Sequence, residues 1–253
     1  MTARFRNELA VVTGAGGAFG KVIVARLVAL GLEVIAVGRR RAELNSLARE
    51  IKNVRPCPAD IAQDDAIGTI AAALDAPVRA IVHAPGLPLA GGILPAAPDA
   101  LAEAVNIKAG GFLRLTRAVD ARLARGSRLI GIGGHYGLEP TAYATSAGVG
   151  NAALIALSRQ LSLAYGPRGV TSHVIAPGPA DTERLRNVVA PRAEKAGCSV
   201  DDILAEMREE SSLGAFTTPE QVAWAVTLLL DPEADAMTGS TLMLDSGRRR
   251  GLP

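Results

Sequence analysis

The sequence predicts an α/β domain in which a parallel sheet is doubly wound, with helices on both faces. Short β-branched runs alternate with longer stretches rich in alanine and leucine, which is typical of covered parallel strands. Hydrophobic residues make up 49% of the 253 positions, enough for a full core in one unit. Residues 1–253 contain no repeat, low-complexity segment or internal linker, which favours a single domain.

The alternation divides the chain into seven strands separated by helices. Strands are predicted at residues 9–13, 34–37, 54–56, 80–83, 128–132, 171–175 and 241–244. Helices are predicted at residues 21–30, 41–52, 64–74, 98–125, 144–165 and 219–230, the last with Trp224 in its core face. The polar, helical stretch at about 181–216 interrupts this pattern, and we interpret it as a substrate lid. A plain surface excursion is the alternative.

Composition limits the partners of the chain. Lys and Arg total 27 against 25 Asp and Glu, and a net charge of +2 creates no field that attracts nucleic acid or an anionic membrane. A small molecule is therefore the expected partner. Cys57 and Cys198 lack metal-ligand spacing, which fits ordinary thiols in a reducing compartment and no metal. Without an apolar leader, we expect a soluble, cytoplasmic protein, with the arginine run at 248–250 solvated.

A glycine-rich run, TGAGGAFG at positions 13–20, follows the first strand and opens a helix. Gly14, Gly16 and Gly20 allow the backbone to turn sharply and to bring amide groups, with the helix dipole behind them, against a pyrophosphate. A nucleotide loop of the GxxxxGK[ST] type fits poorly, because the GK pair is followed by valine. The run therefore predicts a dinucleotide site.

Several ordered motifs make the chain resemble the short-chain dehydrogenase/reductase family. The glycine run resembles the family's TGxxx(A/G)xG loop, and further matches are Asp60-Ile61, HAPG from position 83, PGPADT from position 177 and the closing segment at 237–247. The resemblance implies a Rossmann-type seven-stranded sheet, an NAD(P) site across the strand ends and a homo-oligomer, tetramer or dimer. The cofactor-binding residues that it implies are Gly14, Gly16, Phe19, Gly20, Asp60, Ile61, Ala84, Gly86, Pro177 and Gly178.

The end of the second strand indicates which nicotinamide cofactor is bound. An NAD site places a carboxylate there to accept from the ribose hydroxyls, whereas an NADP site places cations against a 2′-phosphate. Gly38 occupies the position of the carboxylate, and Arg39 and Arg40 follow it. The sequence therefore favours NADP(H) over NAD(H). Solvation of one or two of the arginines is the alternative, and Gly17 stands where many NADP-dependent relatives carry a basic residue.

The catalytic pattern of the family is interrupted. The resemblance implies Ser, Tyr and Lys, but alignment of the motifs places Gly134, Ala147 and Asn151 at those positions. Ketoreductase domains of modular polyketide synthases have an asparagine at the last position and a lysine in the helix after the fourth strand, where this chain has Lys108. We therefore interpret Lys108 and Asn151 as a swapped pair. The alternative keeps Asn106 in the ordinary position and makes Lys108 a surface lysine.

The expected proton donor is missing as well. Asn151 does not ionise near neutral pH, and glycine and alanine carry no polar side chain. Three nearby residues are candidates for the acid: Tyr143, Tyr136 and His135. Tyr143 lies one turn ahead of Ala147, and the hypothesis is that its phenol reaches the vacant space with its pKa lowered by Lys108. A place in the loop ahead of the helix is the alternative for Tyr143. The residues expected to line the substrate site are Gly134, His135 and Tyr136.

Two functions remain open from the sequence. The first is an NADP(H)-dependent oxidoreductase that reduces a ketone or similar electrophile with a relocated acid. The second is a cofactor-binding protein without redox turnover, such as a cyclase, an isomerase or the inactive partner subunit of a reductase. Intact cofactor motifs favour the first and the triple replacement favours the second, and the family resemblance places the oxidoreductase ahead.

Overall fold

The computed structural model describes residues 4–87 and 91–251, and these contain the seven expected strands. All neighbouring strands are parallel, in the order β3-β2-β1-β4-β5-β6-β7. The strand order reverses between β1 and β4, which opens a crevice outside the carboxyl ends of the strands. The strands are β1 Leu9–Thr13, β2 Glu33–Gly38, β3 Val54–Pro58, β4 Val78–His83, β5 Leu123–Ile132, β6 Thr171–Pro177 and β7 Thr241–Leu244.

Helices cover both faces of the sheet, so the doubly wound prediction is confirmed. The helices α1, α2 and α9 bury Ile23, Leu44 and Val226 against one face, while α3, α5 and α6 bury Ile70, Leu115 and Leu154 against the other. The nine helices of the described residues are α1 Ala18–Ala29, α2 Arg41–Glu50, α3 Asp65–Ala72, α4 Pro98–Val105, α5 Gly111–Val119, α6 Thr145–Tyr165, α7 Glu183–Ala196, α8 Val200–Glu209 and α9 Pro219–Leu229.

The single helix predicted at residues 98–125 is wrong. The segment divides into α4, a π-helical turn Asn106–Gly110, α5 and a short 3₁₀ turn, and β5 already begins at Leu123. The helix crosses His83 at Gly111, where a Cβ atom would lie 2.8 Å from the imidazole Cε1. The backbone thus passes close to the buried His83 ring where the π-helical turn ends. Turns of this kind are frequent at functional sites.

The segment at 181–216 contains α7 and α8, which pack on each other through a small apolar cluster that includes Val189, Ile203 and Met207. Arg248 is 7% exposed, so the prediction that this residue is solvated is wrong. Its Nη1 donates to the carbonyl of Met207 at 2.7 Å, and its Nη2 pairs with Glu210. The C-terminal segment therefore holds the end of α8 against the body of the domain.

The prediction that Trp224 lies in the core face of α9 is also wrong. The residue is 51% exposed, because the buried side of α9 is formed instead by residues such as Val222, Val226 and Leu229. No helix of the described chain combines the length and the apolar character needed to span a membrane. Residues 4–87 and 91–251 likewise hold no group of three or more His, Cys, Asp or Glu side chains placed to bind a metal ion.

Candidate active site

The glycine loop lies at the carboxyl end of β1 and leads directly into α1. Gly14 has a φ of 69°, in the left-handed region, and a Cβ atom there would collide with the carbonyl of Ala84 at the end of β4. A Cβ atom at Gly20 would lie 2.7 Å from the Cα of Ala15. Gly17 is the N-cap of α1 and provides no side-chain hydrogen bond to the first-turn amides. The loop is therefore a close-fitting cradle of a shape suited to phosphate oxygens, and it fits a dinucleotide.

Arg39 and Arg40 are placed differently at the end of β2. Arg40 forms an ion pair with Glu43 at 2.8 Å, and the Glu43 carboxylate also approaches Gly16 of the glycine loop. Arg39 makes no ion pair within the described residues and lines a depression of about 380 Å³ together with Asp60. Arg39 is therefore the available cation of the two for a ligand phosphate.

The other expected cofactor residues lie along the same edge of the sheet. Asp60 accepts a hydrogen bond from the Ala62 amide at 3.1 Å, which fixes the turn after β3. The amide of Ala84 donates to the Thr13 carbonyl at 3.2 Å, and that of Gly178 donates to Leu244 at 2.9 Å. Of the remaining positions, Phe19 lies in the first turn of α1, Ile61 and Gly86 follow β3 and β4, and Pro177 is the last residue of β6.

His83 links β1 to the π-helical turn. Its Nε2 donates to the Ile107 carbonyl at 3.0 Å, because a carbonyl only accepts, and its Nδ1 then accepts from the Thr13 hydroxyl at 2.9 Å. Burial, followed by the charge of Lys108, lowers the pKa of His83 to about 3. The neutral imidazole therefore holds the backbone of Ile107, the residue before Lys108.

Lys108 is buried beside the end of β5, so the alternative of a surface lysine is wrong. It is 6% exposed, and its Nζ donates to the carbonyl of Ile132, the last residue of β5, at 2.8 Å. Burial, followed by the charge of Arg184, lowers the pKa of Lys108 to about 7. Asn106 faces away from β5, with its Nδ2 donating to the Ala62 carbonyl at 3.1 Å.

Asn151 and Gly134 fit each other. A Cβ atom on Gly134 would lie 2.8 Å from the Asn151 Nδ2, so the amide fills the space that a side chain at position 134 would need. Gly137 is also in close approach, since its Cβ would lie 2.9 Å from the Asn151 Cβ. Asn151 is 5% exposed, and its Oδ1 has no hydrogen-bond partner among the residues that the structure describes. A side chain at position 134 and the asparagine at 151 would therefore compete for the same space.

The aromatic residues after β5 form a stack that extends toward α7. The His135 ring, 3% exposed, lies 3.9 Å from that of Tyr136, whose hydroxyl is 3.0 Å from the hydroxyl of Tyr143. Tyr143 is 47% exposed and precedes α6, and the Arg192 guanidinium of α7 lies 5.9 Å from its ring centre. Burial, followed by the charge of Arg248, lowers the pKa of His135 to about 4, and burial raises the pKa of Tyr136.

Two arginines of the site were missed by sequence reasoning. Arg184, in the first turn of α7, donates through Nη2 to the Leu87 carbonyl beyond β4, and Arg248 reaches α8 from the C-terminal segment. Both contacts join residues that are distant in sequence, and no local pattern distinguishes these arginines from their neighbours. The only signal is the position of Arg184 two residues after the PGPADT motif.

A phosphate cradle, a crevice at the switch in strand order and a buried lysine beside it define a dinucleotide-binding protein of the α/β class. Comparison with known families agrees with that class. Residues 14–249 match a family model described as enoyl-(acyl carrier protein) reductase. The chain belongs to the short-chain dehydrogenase/reductase family, a family of oxidoreductases, which confirms the resemblance found in the motifs.

Relatives align over almost the whole chain. Short-chain reductase protein NovJ of Streptomyces niveus is 28% identical, with coverage of 96% of this chain and 94% of NovJ. Short-chain dehydrogenase/reductase eriH of Hericium erinaceus is 30% identical, with coverage of 95% and 97%. Among solved structures, a variant of actinorhodin polyketide ketoreductase with NADPH has a TM-score of 0.89 at 23% identity, covering 97% of this chain and 98% of that one. The last likeness concerns the fold.

Proposed function

We propose that the protein is an NADP(H)-dependent reductase of a ketone or a similar electrophile, with Lys108 and Asn151 in place of the usual Ser, Tyr and Lys. The observation that carries this proposal is the burial of Lys108 at the carboxyl end of β5, with Nζ 2.8 Å from the Ile132 carbonyl. A lysine is costly to bury and is rarely enclosed without a task. Its neighbours, Gly134 and Asn151, stand where the family places its reacting groups.

NADP(H) is the proposed cofactor, with NAD(H) a poorer fit. Arg39 is an unpaired cation in the described structure, it lines the depression at the end of β2, and no carboxylate follows that strand. Arg40 is the weaker candidate for the 2′-phosphate because Glu43 neutralises it. NADPH is also present in the polyketide ketoreductase of similar fold. The residues proposed to hold the pyrophosphate and nicotinamide ends are Gly14, Gly16, Phe19, Gly20, Asp60, Ile61, Ala84, Gly86, Pro177 and Gly178.

The chain's own groups supply what carbonyl reduction needs besides hydride, which the reduced nicotinamide provides when bound. Lys108 uses one N–H for the Ile132 carbonyl and has two left for an acceptor. A proton held at Nζ with a pKa of about 7 is matched to transfer near neutral pH. The uncharged Asn151 amide, buried beside Gly134, hydrogen-bonds and orients the acceptor. His83 fixes the turn from which Lys108 projects.

Tyr143 is the alternative proton donor. Its hydroxyl lies 3.0 Å from that of Tyr136, and Arg192 covers the same ring, so these contacts direct it toward the lid. We therefore assign Gly134, His135 and Tyr136 to the wall of the substrate site and Tyr143 to its entrance. The proposed partner is a small molecule enclosed beneath residues 181–216, in a cytoplasmic homo-oligomer, either a tetramer or a dimer.

A second function is favoured by one observation. The space for a side chain at position 134 is taken by Asn151, and position 147 is alanine, so neither hydroxyl of the usual reaction centre has room or atoms there. A cyclase, an isomerase or an inactive partner subunit of a reductase needs the fold and the crevice without that centre. This alternative retains the dinucleotide site and lacks redox turnover.

The two functions are separated by mixing the protein with NADPH and a panel of ketones, diketones and quinones. Absorbance at the nicotinamide band follows oxidation, and quenching of nicotinamide fluorescence follows binding. The reductase proposal expects oxidation with at least one member of the panel. Binding of NADPH with no oxidation across the whole panel rejects the reductase and leaves the second function.

A further inference from the structure

Arg184 differs from the other arginines of the lid. Arg186 and Arg192 each form an ion pair within α7 and α8, both at 2.9 Å, and Arg208 lies 4.7 Å from the centre of an aromatic ring. Arg184 forms no ion pair with any residue in the ranges 4–87 and 91–251. Its Nη2 donates to the backbone carbonyl of Leu87, across the crevice from α7. A carbonyl dipole compensates a guanidinium less well than a carboxylate does.

The guanidinium of Arg184 lies over the loop that follows β4. Its Nη1 is 3.4 Å from the position that a Cβ atom on Gly86 would take, so the guanidinium lies in contact distance of that residue. Leu87, which accepts its hydrogen bond, belongs to the same buried cluster as Ile107, the neighbour of Lys108. The arginine therefore spans the crevice between the lid and the proposed reaction centre.

Arg184 and Lys108 are therefore two cations at this crevice, and neither forms an ion pair within the described residues. The charge of Arg184 contributes to the lowered pKa of Lys108, and burial lowers the pKa of Arg184 itself. The hydrogen bonds of both groups go to backbone carbonyls, at Ile132 and Leu87. Partly desolvated cations of this kind gain most from an ionised oxygen ligand, since charge-assisted hydrogen bonds are about twice as strong as neutral ones.

We infer that Arg184 binds negatively charged oxygens of a ligand enclosed beneath α7, and that it exchanges the Leu87 carbonyl for them when the ligand enters. The inference rests on the proposed function and names the chemistry that its site recognises. Two sources carry such oxygens: the pyrophosphate of the dinucleotide, and a carboxylate on the substrate. A planar guanidinium suits either, because both present paired oxygens to its fork.

The test measures binding by titration calorimetry, with no need for turnover. Arg184→Gln is compared with Arg186→Gln, a matched control on the same helix whose ion pair lies outside the crevice. The ligands are NADPH, 2′-AMP, inorganic pyrophosphate and, with NADP⁺ present, benzoylformate and its methyl ester. Arg184→Gln is expected to weaken NADPH or benzoylformate by about 10- to 100-fold, and Arg184→Lys by less, because lysine keeps the charge without the fork.

The pattern of losses identifies the source of the anion. Weaker NADPH and pyrophosphate with unchanged 2′-AMP assigns Arg184 to the cofactor, whereas weaker benzoylformate with an unchanged ester assigns it to a substrate carboxylate. The inference is overturned if Arg184→Gln alters none of these ligands more than Arg186→Gln does. A wild-type protein that never oxidises NADPH rejects the proposed reductase alone, because these affinities are measured without turnover.

Discussion

The crevice edge has two halves, one at the ends of β1 and β2 and one at the ends of β4 and β5, and different contacts shape them. At the ends of β1 and β2 the geometry is imposed by backbone sterics, with Gly14 in the left-handed region and no room for a side chain at Gly20. At the ends of β4 and β5 the geometry is set by side-chain packing, and Asn151 occupies the space that a side chain at position 134 would need. Variants in the first half therefore test cofactor binding, whereas variants in the second half test the reaction that we propose.

The largest effect is expected from Lys108→Met. Removing the only buried ammonium that the described crevice contains should lower turnover of NADPH by about 10²- to 10⁴-fold, the usual contribution of a positioned acid. Steady-state oxidation with the best substrate of the panel measures it, and Lys52→Met, on the surface after α2, serves as the control. Turnover within threefold of wild type in Lys108→Met would remove Lys108 from the mechanism.

Gly14→Ala tests the other half. A methyl group there meets the Ala84 carbonyl and a φ of 69°, so we expect NADPH affinity to fall by roughly 10- to 100-fold with a lower melting temperature. Gly68→Ala is the control, because nothing lies within 4 Å of its Cβ position and alanine stabilises a helix. Equal NADPH affinity in the two variants would contradict the role of the loop.

This contrast also explains what the sequence could predict. The strands and the glycine loop depend on local properties, β-branched runs and backbone freedom, so their positions agree with the structure. The π-helical turn at residues 106–110 depends on His83, which lies more than twenty positions away and bonds the Ile107 carbonyl at 3.0 Å. The contacts of Arg184 and Arg248 also join residues that are distant in sequence, so local sequence patterns do not predict them.

Within the cofactor half, Arg39 and Arg40 should respond differently. Arg39→Gln is expected to weaken NADPH by about tenfold and leave NADH unchanged, since one charge-assisted contact with the 2′-phosphate is lost. Arg40→Gln should weaken NADPH binding by less than about threefold, because Arg40 is already paired with Glu43. Fluorescence titration with both cofactors measures the preference. The opposite ranking would place the phosphate at Arg40.

The smallest effects are expected from the tyrosine pair. Tyr136→Phe and Tyr143→Phe each remove one hydroxyl from a contact at 3.0 Å, worth about 1 kcal/mol, and should change turnover by less than about threefold. The same absorbance assay measures both variants beside wild type. Loss of turnover in Tyr143→Phe alone would make Tyr143 the proton donor and would reverse the assignment to Lys108.

The most direct test of the central claim is the pH dependence of NADPH oxidation between pH 6 and 9. Lys108 has a lowered pKa of about 7, so its donating ammonium form is populated below that pH and is lost as the pH rises through it. His83 and His135, with pKa values of about 3 and 4, stay neutral over the whole range. We expect turnover to fall above pH 7 in the wild type and this fall to be absent in Lys108→Met. A flat wild-type profile, or the same fall in the variant, would contradict the account.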